Sequence, residues 1–342
     1  QGRRPHEAER RGEMAMITKR KLALGCLALM ASLAAAACGS GRSSFFSFVD
    51  DPALGTMTVR DGALVVLTFR YGDQLPTGVD PKYVRSGYIH PLFGPDGEVL
   101  TDDFPGDHLH HHGLFWTWPI VRTRGLKTGT WEPAIPPLRQ QFVRWTDKSI
   151  RKGAARLGIE SVWKLEGKEI VARETAEFIV HPAEELGRAI DVSLTIGAVG
   201  GPIEFQGSQD AGKGYGGLCF RGAPEFKGAA LTTDKGPQNE DAVNTPYLWA
   251  DVSTPEHGVA IFVAPGHPGH PIPWLIRNSY AGILNPSWPG LKSATIEVGR
   301  PVILRYRLYI HRGDVAAGRV AEQYAAYVRL VPLPYPSHDG GR

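Results

Sequence analysis

The sequence predicts an all-β fold: a large antiparallel two-sheet sandwich, supersandwich-like in size, with one C-terminal helix. Three observations carry this. Apolar and polar residues alternate with period two over long stretches, as in strands with one buried face. Glycine (41) and proline (27) together make about a fifth of the 342 residues, which demands many turns and disfavours long helices. Twelve or more strand patterns against one helical pattern need two sheets face to face to bury their apolar sides.

Residues 1–38 read as an over-extended start followed by a lipoprotein signal peptide. Met14 or Met16 is the expected start; Lys19, Arg20 and Lys21 then precede an apolar run from Leu22 to Ala37. At ~1.5 Å per residue that run reaches roughly 24 Å, short of a ~30 Å hydrocarbon core, so a signal fits better than a membrane span. Ala35-Ala36-Ala37-Cys38-Gly39-Ser40 resembles a lipobox, which makes Cys38 the expected lipidation site; cleavage after Ala37 without lipid is the alternative. The expected location is therefore extracytoplasmic, membrane-anchored in the periplasm or on the outer membrane. Cys26 leaves with the signal and Cys38 takes the lipid. Cys219 then stands alone, and the mature chain has neither an internal disulfide nor a thiolate metal cluster.

Residues 39–54, rich in Ser, Gly and Phe, read as a tether, 55–330 as a single β-sandwich domain, and 331–342 as a loose tail. The clearest strands place Leu157, Ile159, Trp163 and Leu165 on one parity, then Ile190, Val192, Leu194 and Ile196, then Val302, Leu304, Tyr306, Leu308 and Ile310. Weaker strands fall at 63–69, 114–118, 142–146, 170–180, 247–252 and 258–263. Asp314 is a good N-cap for a helix from Val315 to Val328. Formal charge is +3, with basic residues scattered and no Lys/Arg stripe among aromatics, which excludes nucleic acid as a partner.

The densest polar cluster is Asp107-His108-Leu109-His110-His111-His112-Gly113, running into Leu114-Phe115-Trp116-Thr117-Trp118. In extended chain His108, His110 and His112 share one face and His111 the other. Imidazoles serve as general acid or base near neutral pH, or as metal ligands. His108 and His111 are the expected proton carriers, Asp107 orients one ring, and His110 contacts substrate. His108 and His110 are also a candidate pair for a divalent metal, although a third ligand has to come from elsewhere. No other cofactor is indicated.

Trp116 and Trp118 share a parity and suit the apolar face of a sugar; aromatic core is the plainer alternative. Glu174 falls on the apolar parity of Ile170, Ala172, Ala176, Phe178 and Val180. An inward carboxylate is costly unless paired, so it pairs, lines a cavity or marks a bulge that shifts the register, and it is a candidate catalytic carboxylate. The glycine-rich Gln209–Gly217 lacks the Walker spacing and offers Gln209 and Tyr215 for binding and Asp210 as a second carboxylate, with Arg221 beyond them. His270, in the Pro265–Trp274 loop, is a further candidate contact. No Gly-x-Ser-x-Gly elbow occurs, which disfavours a serine hydrolase.

Four segments, Ser86–Phe93 leading to Thr101–Pro105 and Asp107–Trp118, then Gln209–Arg221, Gly258–Asn285 and Val302–Gly313, together resemble the PmoA-like family of secreted and lipoprotein bacterial proteins, often labelled methane oxygenase PmoA. Asp107 to Leu114 is the most specific piece. The resemblance implies a basic residue at position 112 and an Asn at 270, where this chain has His. It also implies a glycan or keto-sugar ligand. It does not imply a membrane methane monooxygenase, since the chain has no apolar run of ~20 residues outside its signal. The leading expectation is an extracytoplasmic hydrolase, lyase or epimerase-like enzyme working on a glycoside or keto-sugar by His/carboxylate acid–base chemistry. Aldose epimerases are a fold-level analogy for it. The alternatives are a non-catalytic glycan-binding lipoprotein and a structural or assembly lipoprotein.

Overall fold

Among the described residues strand outweighs helix by 52% to 7%, as the alternation and turn content predict. The computed structural model describes residues 45–279 and 282–330; the expected signal, Cys38 and the tail from 331 lie outside them. The first strands in chain order are β1 (Phe46–Asp51), β2 (Thr56–Asp61), β3 (Leu64–Arg70), β4 (Tyr88–Leu92), β5 (Leu114–Thr117), β6 (Ile120–Thr123) and β7 (Leu126–Thr128). Four long strands follow: β8 (Leu138–Arg151), β9 (Ala154–Leu165), β10 (Glu169–Val180) and β11 (Gly187–Ala198). Then come β12 (Ile203–Gln206), β13 (Gly217–Phe220), β14 (Ala230–Thr233), β15 (Gly236–Gln238), β16 (Ala242–Pro246), β17 (Trp249–Ser253) and β18 (His257–Val263). The last are β19 (Pro273–Arg277), β20 (Ile283–Pro286), β21 (Ser293–Ile296) and β22 (Val302–Arg312), before the helix α1 (Val320–Leu330).

They form three antiparallel sheets. The first runs β1-β2-β3-β4-β5-β13-β20-β19-β16, the second β15-β14-β17-β18-β22-β11-β10-β9-β8, and a small third β21-β12-β6-β7. The two nine-stranded sheets face each other in a sandwich, the fold class expected. Aromatic rings cross between them: Trp116 of β5 lies 6.1 Å from Phe178 of β10, and Phe69 of β3 lies 5.9 Å from the same ring. Such rings each bury roughly 200 Å², about 5 kcal/mol at ~25 cal/mol/Å². The expected inward parities hold in β9, β11 and β22, except that Val302 at the start of β22 is only half-buried.

Two boundaries move. Residues expected in the tether make β1, which pairs with β2 from Phe46↔Asp61 to Asp51↔Thr56, because Phe46 has a core site to fill. The helix begins at Val320 rather than Val315. Asp314 does accept from the amides of Ala316 and Ala317, but it caps a separate turn that ends at Arg319, whose φ of 50° breaks the helical path. Among the described residues no helix is long and apolar enough to cross a membrane.

Candidate functional site

β5 is central in the first sheet and buried on both faces. The chain reaches it through residues 101–113, a segment of turns rather than strand. Phe104 takes a left-handed φ of 49°, uncommon for a bulky residue, and its amide donates to the carbonyl of His111, closing the loop on itself. Gly113 ends it where a side chain has no room, since a Cβ there would collide with the Ile89 carbonyl. This folding cancels the parity expected for the histidines, because the chain is not extended.

His112 comes to rest beneath the loop, 2% exposed, between the rings of Tyr88 and Phe104, each 4.6 Å away. Its Nδ1 meets Asp103 Oδ1 at 2.8 Å, and the Tyr88 hydroxyl donates to Asp103 Oδ2 at 2.9 Å. Arg70 stands 3.9 Å from that same oxygen. A carboxylate that accepts the Tyr88 hydrogen bond at one oxygen has only acceptors to offer at the other, which fixes the imidazole as the Nδ1–H tautomer and leaves Nε2 with a lone pair. Burial, only partly opposed by Asp103, pushes His112 down to about 4, so it is neutral at physiological pH. The resemblance implied a replaceable basic residue here. The structure instead has an oriented imidazole at this position.

His112 and His110 line a cleft of about 280 Å³ together with Arg85, Thr130, Trp131 and Glu132. His110 Nε2 lies 3.6 Å from Glu132 Oε1, and burial followed by repulsion from His108 and His112 lowers it to about 4. Arg85 donates to the carbonyl of Thr130 at 3.1 Å and to Gln140 Oε1 at 2.8 Å, which fixes the wall that carries Trp131.

The expected proton carriers sit one ring further out. Asp107 bridges His108 Nδ1 at 3.0 Å and Arg221 Nη2 at 3.1 and 3.2 Å. Burial alone would raise Asp107, but the bonds from His108 and Arg221 outweigh it and hold the carboxyl below its usual range. His111 is buried, its ring stacked at 4.7 Å on His108 and its Nδ1 3.4 Å from Arg221, and burial drives it far below the ordinary imidazole value. Arg221, Tyr215 and the histidines therefore do come together, with Tyr215 packed at 4.7 Å on Trp131.

Several expected site residues lie elsewhere. Trp116 and Trp118 are fully buried in the core, and the Trp118 indole donates to the Trp288 carbonyl, so neither lines the cleft; the tryptophan beside the histidines is Trp131. Glu174 faces inward as expected and is paired, accepting from Gln140 at 2.8 Å and Trp163 at 2.9 Å. Burial raises it, against those donors, Trp116 and Arg85. It stands behind the cleft wall as a core carboxylate and not beside the histidines. Asp210 is exposed and pairs with Lys213 of its own turn, while Gln209 donates to the carbonyls of Gly207 and Leu291. His270 stays in its own loop, with His267 and Asp234 as electrostatic neighbours. Among the described residues no three His, Cys, Asp or Glu side chains converge to hold a metal ion, so the His108–His110 metal pairing lacks its third ligand.

Asp103, Tyr88, Glu132, Arg85 and Trp131 were not singled out in the sequence, and His112 was read only as a member of the histidine run and a departure from the resemblance. The one available signal was Asp103 in the Thr101–Pro105 stretch that leads to the histidines.

Residues 56–325 match the profile of DUF6807, a family of unknown function. This replaces the PmoA-like assignment that the sequence segments suggested, since the profile matched is DUF6807. No curated protein matches the chain. Among solved structures, a galactose mutarotase-related enzyme of Lactobacillus acidophilus is similar at 7% identity and a TM-score of 0.40, over 78% of this chain and 97% of its own. A candidate mutarotase of Salmonella typhimurium is similar at 11% identity and 0.34, over 78% and 90%. A candidate aldose 1-epimerase of Klebsiella pneumoniae is similar at 11% and 0.37, over 80% and 83%. Likeness at this level does not extend to chemistry.

Proposed function

The chain belongs to the DUF6807 family, which has no assigned activity, and we propose that it is an extracytoplasmic enzyme that moves protons on a small glycoside or keto-sugar. The observation that carries this is the Tyr88–Asp103–His112 chain at a cleft. A buried imidazole held through Nδ1 by a carboxylate is an oriented base, and His112 is neutral and ready to accept a proton at Nε2. The His110–Glu132 pair on the same cleft supplies a second imidazole and carboxylate to return the proton. A cleft of about 280 Å³ lies at the lower end of ligand-site volumes, which favours one sugar unit over a long polymer.

The proton is taken from a sugar carbon or hydroxyl, the step common to elimination, epimerisation and general-base hydrolysis. Arg85, already donating to Thr130 and Gln140, keeps positive charge near His112 and so favours its neutral form. Asp107 and His108, the accessible members of the adjoining cluster, meet the substrate's outer hydroxyls, while the buried His111 and Arg221 hold them in place. The lipobox-like Ala35-Ala36-Ala37-Cys38 supports anchoring by lipid, so Cys38→Ser should move the protein from the membrane to the soluble fraction.

The enzymatic reading is tested by incubating the protein in D₂O with small glycosides and their 3-keto derivatives. Proton NMR follows loss of individual C–H signals and appearance of products. Exchange or turnover that disappears in His112→Gln is the expected result. Sugar binding without exchange or turnover would make the protein a non-catalytic glycan binder instead.

A further inference from the structure

The second sheet carries a polar groove on the face turned away from the core, outside the cleft described above. It encloses about 800 Å³, crosses β8, β9, β10, β11 and β22, and is bordered by Tyr327 and Leu330 of α1. Its floor follows from register: Glu177, Ser193 and Arg305 stand opposite one another on β10, β11 and β22, with Asp191 and Arg307 paired in the next row.

One wall is locked. Arg307 donates to both Asp191 oxygens at 2.6 and 2.9 Å, His181 Nε2 reaches the same carboxylate at 2.7 Å, and the guanidinium lies 4.5 Å over the Tyr327 ring. At the far end Arg151 pairs with Asp147 at 3.5 Å. Among the described lining residues this leaves Lys152, Arg156 and Arg305 without an ion-pair partner, against Glu177 as the one carboxylate without one. The groove thus keeps an excess of positive charge. Arg156 also holds its Nε buried with no hydrogen-bond partner, a donor that is costly to leave unmade.

We propose that this groove binds an acidic oligosaccharide, with Arg156, Arg305 and Lys152 meeting carboxylate or sulfate groups and Glu177 and Ser193 accepting from hydroxyls. Arg156 and Arg305 are separated by two intervening strands, roughly 14 Å at ~4.8 Å per spacing, so the ligand is extended and carries anionic groups at intervals. The groove lies on a sheet face, where backbone groups are already paired, which disfavours an added peptide strand. Its aromatic rings are buried in the core or covered by Arg307, so nucleic-acid bases find no stacking platform. The site stands whether or not the cleft turns over a sugar.

Calorimetry on the full chain tests it with four probes: tetragalacturonate, a sulfated tetrasaccharide, neutral cellotetraose and tetrapolyphosphate. The expected result is binding of the two acidic sugars at least about tenfold tighter than cellotetraose, weakening as salt is raised. Arg305→Ala and Arg156→Ala should each cost about tenfold, the size of a lost charge-assisted hydrogen bond, with unchanged melting. His112→Gln, which alters only the cleft, should leave this binding as it is. Equal binding of cellotetraose, no binding of the acidic sugars, or wild-type affinity in both arginine variants overturns the proposal. Polyphosphate bound as tightly as the acidic sugars would assign the groove to phosphate and overturn its assignment to a glycan.

Discussion

His112 and His311 each meet an aspartate at nearly the same distance, 2.8 Å to Asp103 and 2.7 Å to Asp251, yet the two pairs are built for opposite ends. His311 and Asp251 are both fully buried. The ring uses Nε2 on Asp251 and turns Nδ1 to the Arg312 carbonyl at 3.3 Å, while Ser253 donates to the remaining Asp251 oxygen at 2.8 Å. Glycines 258 and 318 press on the ring where any Cβ would collide with it. Every polar atom is consumed and nothing can approach. His112 spends only Nδ1, and its ring lines a cleft. The chemistry of the pair is the same, and access to the second nitrogen separates a structural histidine from a candidate base.

The largest effect that would break or support this contrast is on activity. His112→Gln and Asp103→Asn should lower the proton-exchange rate by about 10²–10⁴-fold, the range of a general-base contribution and its orienting partner. Circular dichroism should remain that of a folded β protein. His311→Gln should leave the rate per folded molecule unchanged. If His112→Gln retains full exchange on a sugar that the wild type exchanges, the cleft is not where the proton moves.

The stability effects should run the other way. Removing one partner of a sealed pair leaves an uncompensated polar group, so His311→Gln or Asp251→Asn should cost about 3–5 kcal/mol in denaturant unfolding. His112→Gln should cost only about 1–2 kcal/mol, since the amide can still donate to Asp103 and Tyr88 keeps its bond. Equal losses at the two sites would erase the distinction.

A pH series sharpens it further. His112 falls to about 4 and His267 to about 3, both chiefly through burial. Between those values and the unfolded value of about 6.5 the unfolded chain binds more protons than the folded one. Stability from these groups is therefore complete above roughly pH 6.5 and is lost as pH drops toward 4. For His112 alone the loss at pH 5 should be about 2 kcal/mol. Melting curves of wild type and His112→Gln should converge as pH falls from 7 to 5; parallel curves would mean that His112 is charged or solvated.

The sandwich was legible because β9, β11 and the first half of β22 have one apolar buried face and one polar face, which is what alternation encodes; from Leu308 to His311 both faces of β22 are buried. The fate of Trp116 and Trp118 was not, because β5 lies mid-sheet and is buried on both sides, so parity carries no information there. The histidine cluster was legible as a place but not as an arrangement. Its geometry depends on a loop reversed at Phe104 and on Tyr88 from a neighbouring strand. Glu174 could be flagged as an inward carboxylate, whereas its partner Gln140 sits on β8, two strands away, and only sheet order brings them together.

The smallest expected effect concerns the carboxylate that the sequence ranked beside Glu174. Asp210 is 69% exposed, and its ion pair is with Lys213 three residues on. Solvent screens such a pair, and exposed pairs contribute about 0–1 kcal/mol. The turn also holds through backbone bonds that do not involve the carboxylate: Gly212 to Gln209, Lys213 to the Asp210 carbonyl, and Gly214 to Ser208. Asp210→Asn should therefore change unfolding free energy by no more than about 0.5 kcal/mol and leave proton exchange at the wild-type rate. Asp103→Asn, which makes the same change in side chain, should abolish most of that exchange. An Asp210→Asn variant that loses activity while Asp103→Asn keeps it would move the working carboxylate out of the cleft and onto the glycine-rich loop.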